Sequence, residues 1–166
     1  RREVAFVLAF CRFIGVEPDR FADVGAGTGW WAREFARQYP AARVIETFDA
    51  SDAACRRYGH RRVPLQKLSG RQADLVVCRD VLRYLNAPDA EEGIRRLGRK
   101  SRGVLYLHVI TRDDDFDEDA SDVEGWFRRA SWYRNRMSAE GFTDCGMGLF
   151  VSPRLKSFDP WVLDVR

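Results

Sequence analysis

The stretch FADVGAGTGWW, residues 21–31, constrains this chain more than any other. An apolar run reaches Asp23, opens into Gly25, Gly27 and Gly29, and passes straight into Trp30 and Trp31, where a helical pattern starts. Glycine adopts backbone conformations barred to other residues, and its missing side chain lets a ligand come close. Strand, glycine turn and helix in that order place the turn at the carboxyl edge of a parallel sheet, where ligands of open α/β sheets bind. The helix behind it points free N–H groups and the positive end of its dipole at that ligand. A glycine-rich connector with no ligand is the alternative reading.

The rest of the chain alternates apolar runs with helical patterns, which predicts βα units and a mostly parallel sheet. Predicted strands are RFADV (20–24), RVIETFD (43–49), RVPLQKL (62–68), ADLVVC (73–78) and GVLYLHVI (103–110). TDCGMGLFV (143–151) and PWVLDVR (160–166) are predicted as two more, and the short SPRLKSFD between them suits an antiparallel pair. Trp31, Phe35 and Tyr39 share one helical face, as do Ala90, Ile94 and Leu97 in APDAEEGIRRLGRK, whose first turn is acidic and last turn basic. Val123, Trp126, Phe127, Ala130, Tyr133 and Met137 form a further stripe before Gly141. Trp132 lies opposite it, either solvated or part of a substrate or partner surface. In the first helix Val4, Val7, Leu8, Cys11 and Ile14 oppose a second stripe of Phe6, Phe10 and Phe13. A helix apolar on two sides expects cover on both, from upstream chain, an apolar substrate or a second copy in a homodimer.

With 166 residues and 19.2 kDa, the expectation is a single domain over 1–166, residues 1–18 being an N-terminal helix or the remnant of a longer lid. The net charge of +3 is spread out, which disfavours a nucleic-acid partner. Cys11, Cys55, Cys78 and Cys145 form no CxxC pair and, with His60 and His108, no metal-ligand spacing, so no metal is expected and reduced thiols fit a cytoplasmic protein. The basic residues are Arg apart from Lys67, Lys100 and Lys156, a bias read as that of a GC-rich bacterial genome. No apolar run approaches the roughly 20 residues that span a bilayer, so no membrane partner is expected. VAFVLAFCRFIG is interrupted by Arg12 and lacks a small-residue cleavage site after it.

The dinucleotide pattern G-x-G-x-x-G would need glycine at position 30, where this chain has Trp30. That disfavours a nicotinamide oxidoreductase. Asp49 ends the second predicted strand, where an acid can accept hydrogen bonds from both ribose hydroxyls of an adenosine group. Capping the helix that follows Ser51 is its structural alternative, and Glu46 falls within the strand instead.

On these residues the chain resembles the class I S-adenosylmethionine-dependent methyltransferases of small-molecule type. DVGAGTG looks like their first motif, ETFDAS like the segment bearing their ribose-binding acid, and ADLVVCRDVLRYL like their fourth-strand segment. The resemblance runs from about Phe21 onward. It implies an α/β, Rossmann-like methyltransferase fold: a mostly parallel seven-stranded sheet with an antiparallel C-terminal strand pair and helices on both faces. It also implies S-adenosyl-L-methionine as cofactor. Asp23, Gly25, Ala26, Gly27 and Gly29 would hold its methionine part, with Trp30 opening the adjoining helix. Asp49 with Ala50 would meet the ribose, Lys67 or Leu68 would border the adenine, and Cys78 and Arg79 would approach the methionine group through main-chain atoms. Many relatives carry an acid after the third strand for the adenine amino group. Here PLQKLSGRQADL offers Gln66, Ser69 or main chain.

Methyl transfer needs the acceptor held in line with the leaving sulfur, and a base only where the acceptor arrives protonated. Three residues are catalytic candidates. Asp80 is a base or a polar helix cap, Tyr84 follows it at the same edge, and His108 is a base or a satisfied core residue. His60, in YGHRR, reads as surface loop. RDVL stands where methyltransferases acting on nucleic-acid bases or protein glutamine carry Asp/Asn-Pro-Pro-aromatic, which again favours a small-molecule substrate. RDDDFDEDASDVE (112–124) is a solvated acidic loop or attracts a cationic substrate or metal. The implied activity is methyl transfer to O or N of a small molecule. The competing reading is a methyltransferase-like binding or partner subunit without turnover.

Overall fold

The computed structural model describes residues 1–114 and 125–159. Seven strands form one sheet: β1 (Arg20–Val24), β2 (Val44–Asp49), β3 (Arg61–Arg62), β4 (Ala73–Arg79), β5 (Ser101–His108), β6 (Thr143–Asp144) and β7 (Leu149–Val151). Their order is β3-β2-β1-β4-β5-β7-β6. The first five run parallel, while β7 is antiparallel to both β5 and β6. Strand order reverses at β1, which pairs with β2 on one side and β4 on the other, so a crevice opens at their carboxyl ends.

Period-two alternation assigns each face of the sheet its own helices. Phe21, Leu75, Val77, Val104, Tyr106, Leu149 and Val151 face α1 (Arg2–Phe13) and α2 (Trp30–Gln38). Ala22, Val24, Val76, Cys78, Leu105, Leu107 and Phe150 face α4 (Ala87–Lys100) and α5 (Ala130–Ala139). The short α3 (Asp52–Tyr58) packs on the edge near β2 and buries no side chain. The expected stripes on α2 and α4 are the buried ones: Trp31 and Phe35, then Ala90, Ile94 and Leu97. On α1 the valine stripe is buried and Phe10 packs against the same core, while Phe6 and Phe13 remain exposed. Among the described residues no helix is long and apolar enough to cross a membrane.

Three elements differ from expectation. The third strand, expected over 62–68, is the two-residue β3, because Pro64 has no N–H for a ladder and leads into a 3-10 turn, Leu65–Lys67. TDCGMGLFV is not one strand but two: Gly146, Met147 and Gly148 all take positive φ and turn β6 back into β7. This hairpin supplies the antiparallel pair, and PWVLDVR lies outside the described residues. The helix expected from Val123 starts at Ala130, whose N–H donates to Asp113 Oδ2 at 2.7 Å; Trp126 and Phe127 precede it, and Val123 lies outside the described residues.

β5 crosses β4 at a register shift between Ala73 and Leu75. A Cβ at Gly103 would collide there with the Asp74 carbonyl oxygen and stand 3.2 Å from Val16 Cγ1. Backbone cannot yield as a side chain does, so Gly103→Ala is expected to cost about 1–3 kcal/mol. Thermal unfolding should show a fall of roughly 2–4 °C for each kcal/mol.

Candidate functional site

The glycine turn is tied to β2 before any ligand arrives. Gly25 and Ala26 N–H both donate to Phe48 O, at 2.8 and 2.9 Å. Gly25 has φ +75°, and a Cβ there would collide with Val81 just past β4, so glycine is required at that position. Gly27 N–H donates to Asp49 Oδ2 at 2.8 Å, while Asp49 Oδ1 accepts from Ser51 N–H at 2.7 Å. A Cβ at Gly27 would meet nothing within 4 Å, which leaves the outer side of the turn open to a ligand. Gly29, left-handed at φ 72°, starts α2 without a side-chain cap. Asp49 does not cap α3; Ser51 does, its hydroxyl accepting from Ala54 N–H. Glu46 is occupied elsewhere, by Lys100 Nζ at 2.8 Å and Arg61 at 3.0 Å.

His60 belongs to this site, contrary to the surface-loop expectation. It is 8% exposed, with Nε2 3.0 Å from Gly27 O and Nδ1 2.9 Å from Thr47 Oγ1. A carbonyl oxygen can only accept, so Nε2 carries a proton, and Nδ1 pairs with the threonine hydroxyl. The left-handed Gly59 ends α3 and delivers His60 to the start of β3, beside β2.

Asp23, next to last in β1, is 2% exposed, and its Oδ2 has no hydrogen-bond partner. Burial pushes its pKa up to about 7, the Ala32 N–H works against that rise, and the Asp49 charge adds to it. The remaining expected cofactor residues spread along the same edge. Trp30 is 40% exposed on the first turn of α2, and Ala50 and Lys67 are exposed. Leu68 and Cys78 are buried in the core, so only their main chain is available to a ligand. Arg79 Nε donates to Glu3 Oε1 at 3.3 Å, and Tyr106 OH donates to the same oxygen at 2.8 Å, which pins α1 over this edge. Gln66 has a buried carboxamide oxygen without a partner in the turn after β3.

The three catalytic candidates part company. Asp80 sits in the left-handed region at φ 55°, its N–H donating to His108 O at 2.7 Å. It caps no helix; Oδ1 accepts from Arg83 Nε at 2.8 Å, and Arg83 is 4% exposed. A buried guanidinium needs its carboxylate, so this pair fixes the turn after β4. Tyr84 is drawn into the same cluster by a hydrogen bond from Arg83 to its hydroxyl. His108, at the end of β5, keeps a buried Nδ1 without a partner and lines a cavity of about 240 Å³. Trp132 is partly buried, stacked between Arg128 and Arg136 at 4.7 and 3.7 Å, in a wider groove of about 1440 Å³. Among the described residues no group of three His, Cys, Asp or Glu side chains gathers to hold a metal.

The arrangement is a glycine turn with an open outer side, an acid at the end of β2, and a cavity beyond β5, two strands away from β1. A family model described as "Methyltransferase domain" matches residues 1–146. A malonyl-[acyl-carrier protein] O-methyltransferase of Gallionella capsiferriformans (strain ES-2) is 39% identical over 82 residues, which are 49% of this chain and 28% of that relative. The chain thus spans less than a third of the curated relative's length. Among solved structures, magnesium protoporphyrin IX methyltransferase from Synechocystis PCC 6803 with bound SAM superposes with a TM-score of 0.67 at 18% identity, over 91% of this chain and 78% of that one. The sugar N-methyltransferase KedS8 from Streptoalloteichus sp ATCC 53650 gives 0.66 at 17%, over 90% and 85%. With its model matched over most of its length, the chain belongs to the methyltransferase domain family.

Proposed function

We propose that this chain binds S-adenosylmethionine and transfers its methyl group to an oxygen or nitrogen of a small molecule. The observation that carries this reading is the Gly27–Asp49 contact: a glycine turn with an open outer side, held against an acid at the carboxyl end of β2. Each Asp49 oxygen accepts one main-chain N–H and retains lone pairs for ribose hydroxyls. The acid is therefore already oriented. Asp23 Oδ2 offers a buried negative oxygen to the cationic methionine end, beside the main chain of Gly25–Gly29 and of Cys78 and Arg79. Trp30 and Ala50 flank the turn, Lys67 and the main chain of Leu68 border the adenine, and the Gln66 carboxamide takes the place of the acid that many relatives use there.

When bound, the cofactor supplies an electrophilic methyl group. The chain's own contribution is to hold the acceptor against it and to exclude water. For a proton carried by the acceptor, His108 has an unoccupied nitrogen, whereas Asp80 is engaged by Arg83. One relative is named for O-methylation of a malonyl group on an acyl-carrier protein and one structural neighbour for N-methylation of a sugar, which supports oxygen or nitrogen as the acceptor atom here.

Thermal melting of the chain with S-adenosylmethionine, S-adenosylhomocysteine or NAD, each in separate wells, tests the cofactor. A ligand at 100 times its dissociation constant adds about 2.7 kcal/mol. Both sulfur ligands should raise the melting temperature, NAD should not, and Asp49→Ala should abolish the shift. S-adenosylhomocysteine release with small-molecule acceptors then separates an enzyme from a binding subunit; binding without release would overturn the transfer reading.

Asp23 predicts a pH dependence. Its folded pKa lies above the ordinary value of 3.8, so its contribution to stability is fully present below that value and is lost as pH rises through about 7. Asp23→Asn should flatten this decline, by up to about 1.4 kcal/mol per pH unit within the window. At pH 8 the variant should melt above the parent chain yet bind S-adenosylmethionine more weakly. A variant that melts lower at pH 8 and binds as tightly would refute this role.

A further inference from the structure

Steric contact fixes one end of the glycine turn and leaves its middle free. Val81 blocks any side chain at Gly25, but a Cβ at Gly27 would meet nothing within 4 Å. The middle of the turn is therefore held by hydrogen bonds, and these are unevenly shared among its three peptide planes. In the Ala26–Gly27 plane both groups are bonded: Ala26 O accepts from Gly29 N–H at 2.7 Å, and Gly27 N–H donates to Asp49 Oδ2 at 2.8 Å. In the Thr28–Gly29 plane both are bonded as well, since Thr28 O accepts from Arg33 at 2.7 Å. The Gly27–Thr28 plane between them has one bond only. Its carbonyl accepts from His60 Nε2 at 3.0 Å, and among the described residues nothing accepts from Thr28 N–H. Rotating this plane changes ψ of Gly27 and φ of Thr28, and glycine offers little resistance to such a change.

The His60 ring is itself held in place behind the turn. Nδ1 lies 2.9 Å from Thr47 Oγ1 on β2, which stops the ring swinging about its Cβ–Cγ bond. Tyr58 packs at 6.0 Å between ring centroids, and a Cβ at Gly29 would stand 3.2 Å from His60 Cε1, so the ring also closes against the start of α2. In a planar trans peptide the N–H points opposite to the carbonyl. With the Gly27 carbonyl turned to His60, the Thr28 N–H is directed away from it and stays available to a ligand.

We propose that His60 is a positioning residue of the cofactor site. Its Nε2–H locks the Gly27–Thr28 peptide, which keeps Thr28 N–H on offer and the neighbouring Gly27 N–H on Asp49, the acid assigned to the ribose. This rests on the S-adenosylmethionine reading, whose turn it braces. A side chain that merely filled the space would leave the plane free to rotate.

His60→Gln and His60→Met separate the donor from the packing. Both lose the imidazole ring and have the same length, but Gln carries an N–H donor as many bonds from Cβ as Nε2, where Met carries a methyl group. Calorimetric titration should find S-adenosylhomocysteine bound by His60→Gln within about twofold of the parent, and by His60→Met roughly three- to tenfold more weakly, the worth of one neutral hydrogen bond. Without ligand, the Gly27 carbonyl ¹³C signal should move upfield in His60→Met and stay near its parent position in His60→Gln. The chain has two histidines, so His108→Gln assigns the ¹⁵N-imidazole signals of His60, which should show the proton on Nε2 at about pH 8. Equal affinity of the two variants, a Gly27 signal that moves in both or in neither, or a His60 proton on Nδ1 alone would each overturn the proposal. Should neither variant fold, the imidazole spectrum of the folded parent side chain decides. If the parent binds S-adenosylhomocysteine and the variants bind it equally, this inference fails alone. If the Gly27 signal follows the donor but the parent binds no S-adenosylhomocysteine, the lock on the turn stands and the cofactor reading falls.

Discussion

One peptide unit, that of Gly27, fixes the edge on which the rest of the site depends. Its N–H is held by Asp49 at the end of β2 and its carbonyl by His60 at the threshold of β3. Two further bonds run from Gly25 and Ala26 to Phe48 O, and Val81 fills the space that a side chain at Gly25 would need. The turn is therefore anchored to β2, β3 and the segment after β4 at once. Such anchoring removes most of the ordering cost that a flexible glycine loop would otherwise meet on binding. It also presents the free N–H groups at the start of α2 in a fixed direction.

The parts legible in sequence are those whose signal is local or periodic. β1, β2, β4 and β5 are apolar segments with helices on both sides, and the stripes on α2 and α4 are the faces those helices bury. The glycine turn and Asp49 could be located because each stands at a strand end. Elsewhere the same apolar spacing served a different structure. Val63 and Leu65 alternate as a strand's residues would, but they pack with Leu68 around a 3-10 turn, and the decisive residue was Pro64. Gly146 and Gly148 read as interior glycines of one strand because nothing local reports a reversal at Met147. The start of α5 is set by Asp113, 17 positions upstream, so Trp126 and Phe127 match the helical spacing without joining the helix.

His60 shows the limit of local reading most clearly. Its partners, Thr47 and Gly27, are 13 and 33 positions away, and YGHRR contains no hint of either. What brings them together is the register of β3 on β2, a two-residue pairing of Phe48 with Arg61 and Asp49 with Arg62. Asp80 is similar. Base or helix cap were the roles its position allowed, but Arg83, three residues on, is buried and claims the carboxylate.

Polar groups without partners complete the division of labour along the sheet edge. Six buried side-chain atoms among the described residues lack one. Two, Ser101 Oγ and Trp31 Nε1, lie at the start of β5 and within α2. The other four lie nearer the carboxyl edge: Asp23 next to last in β1, Gln66 after β3, His108 ending β5, and Tyr133 in the first turn of α5. Unpartnered buried groups are uncommon in folded chains because each one weakens the fold. A scatter of such costs would be spread over both ends of the strands, whereas these gather where the strands end. At the glycine turn the Gly25, Ala26 and Gly27 N–H groups are all bonded to β2, while Asp23 Oδ2 stays buried without a partner.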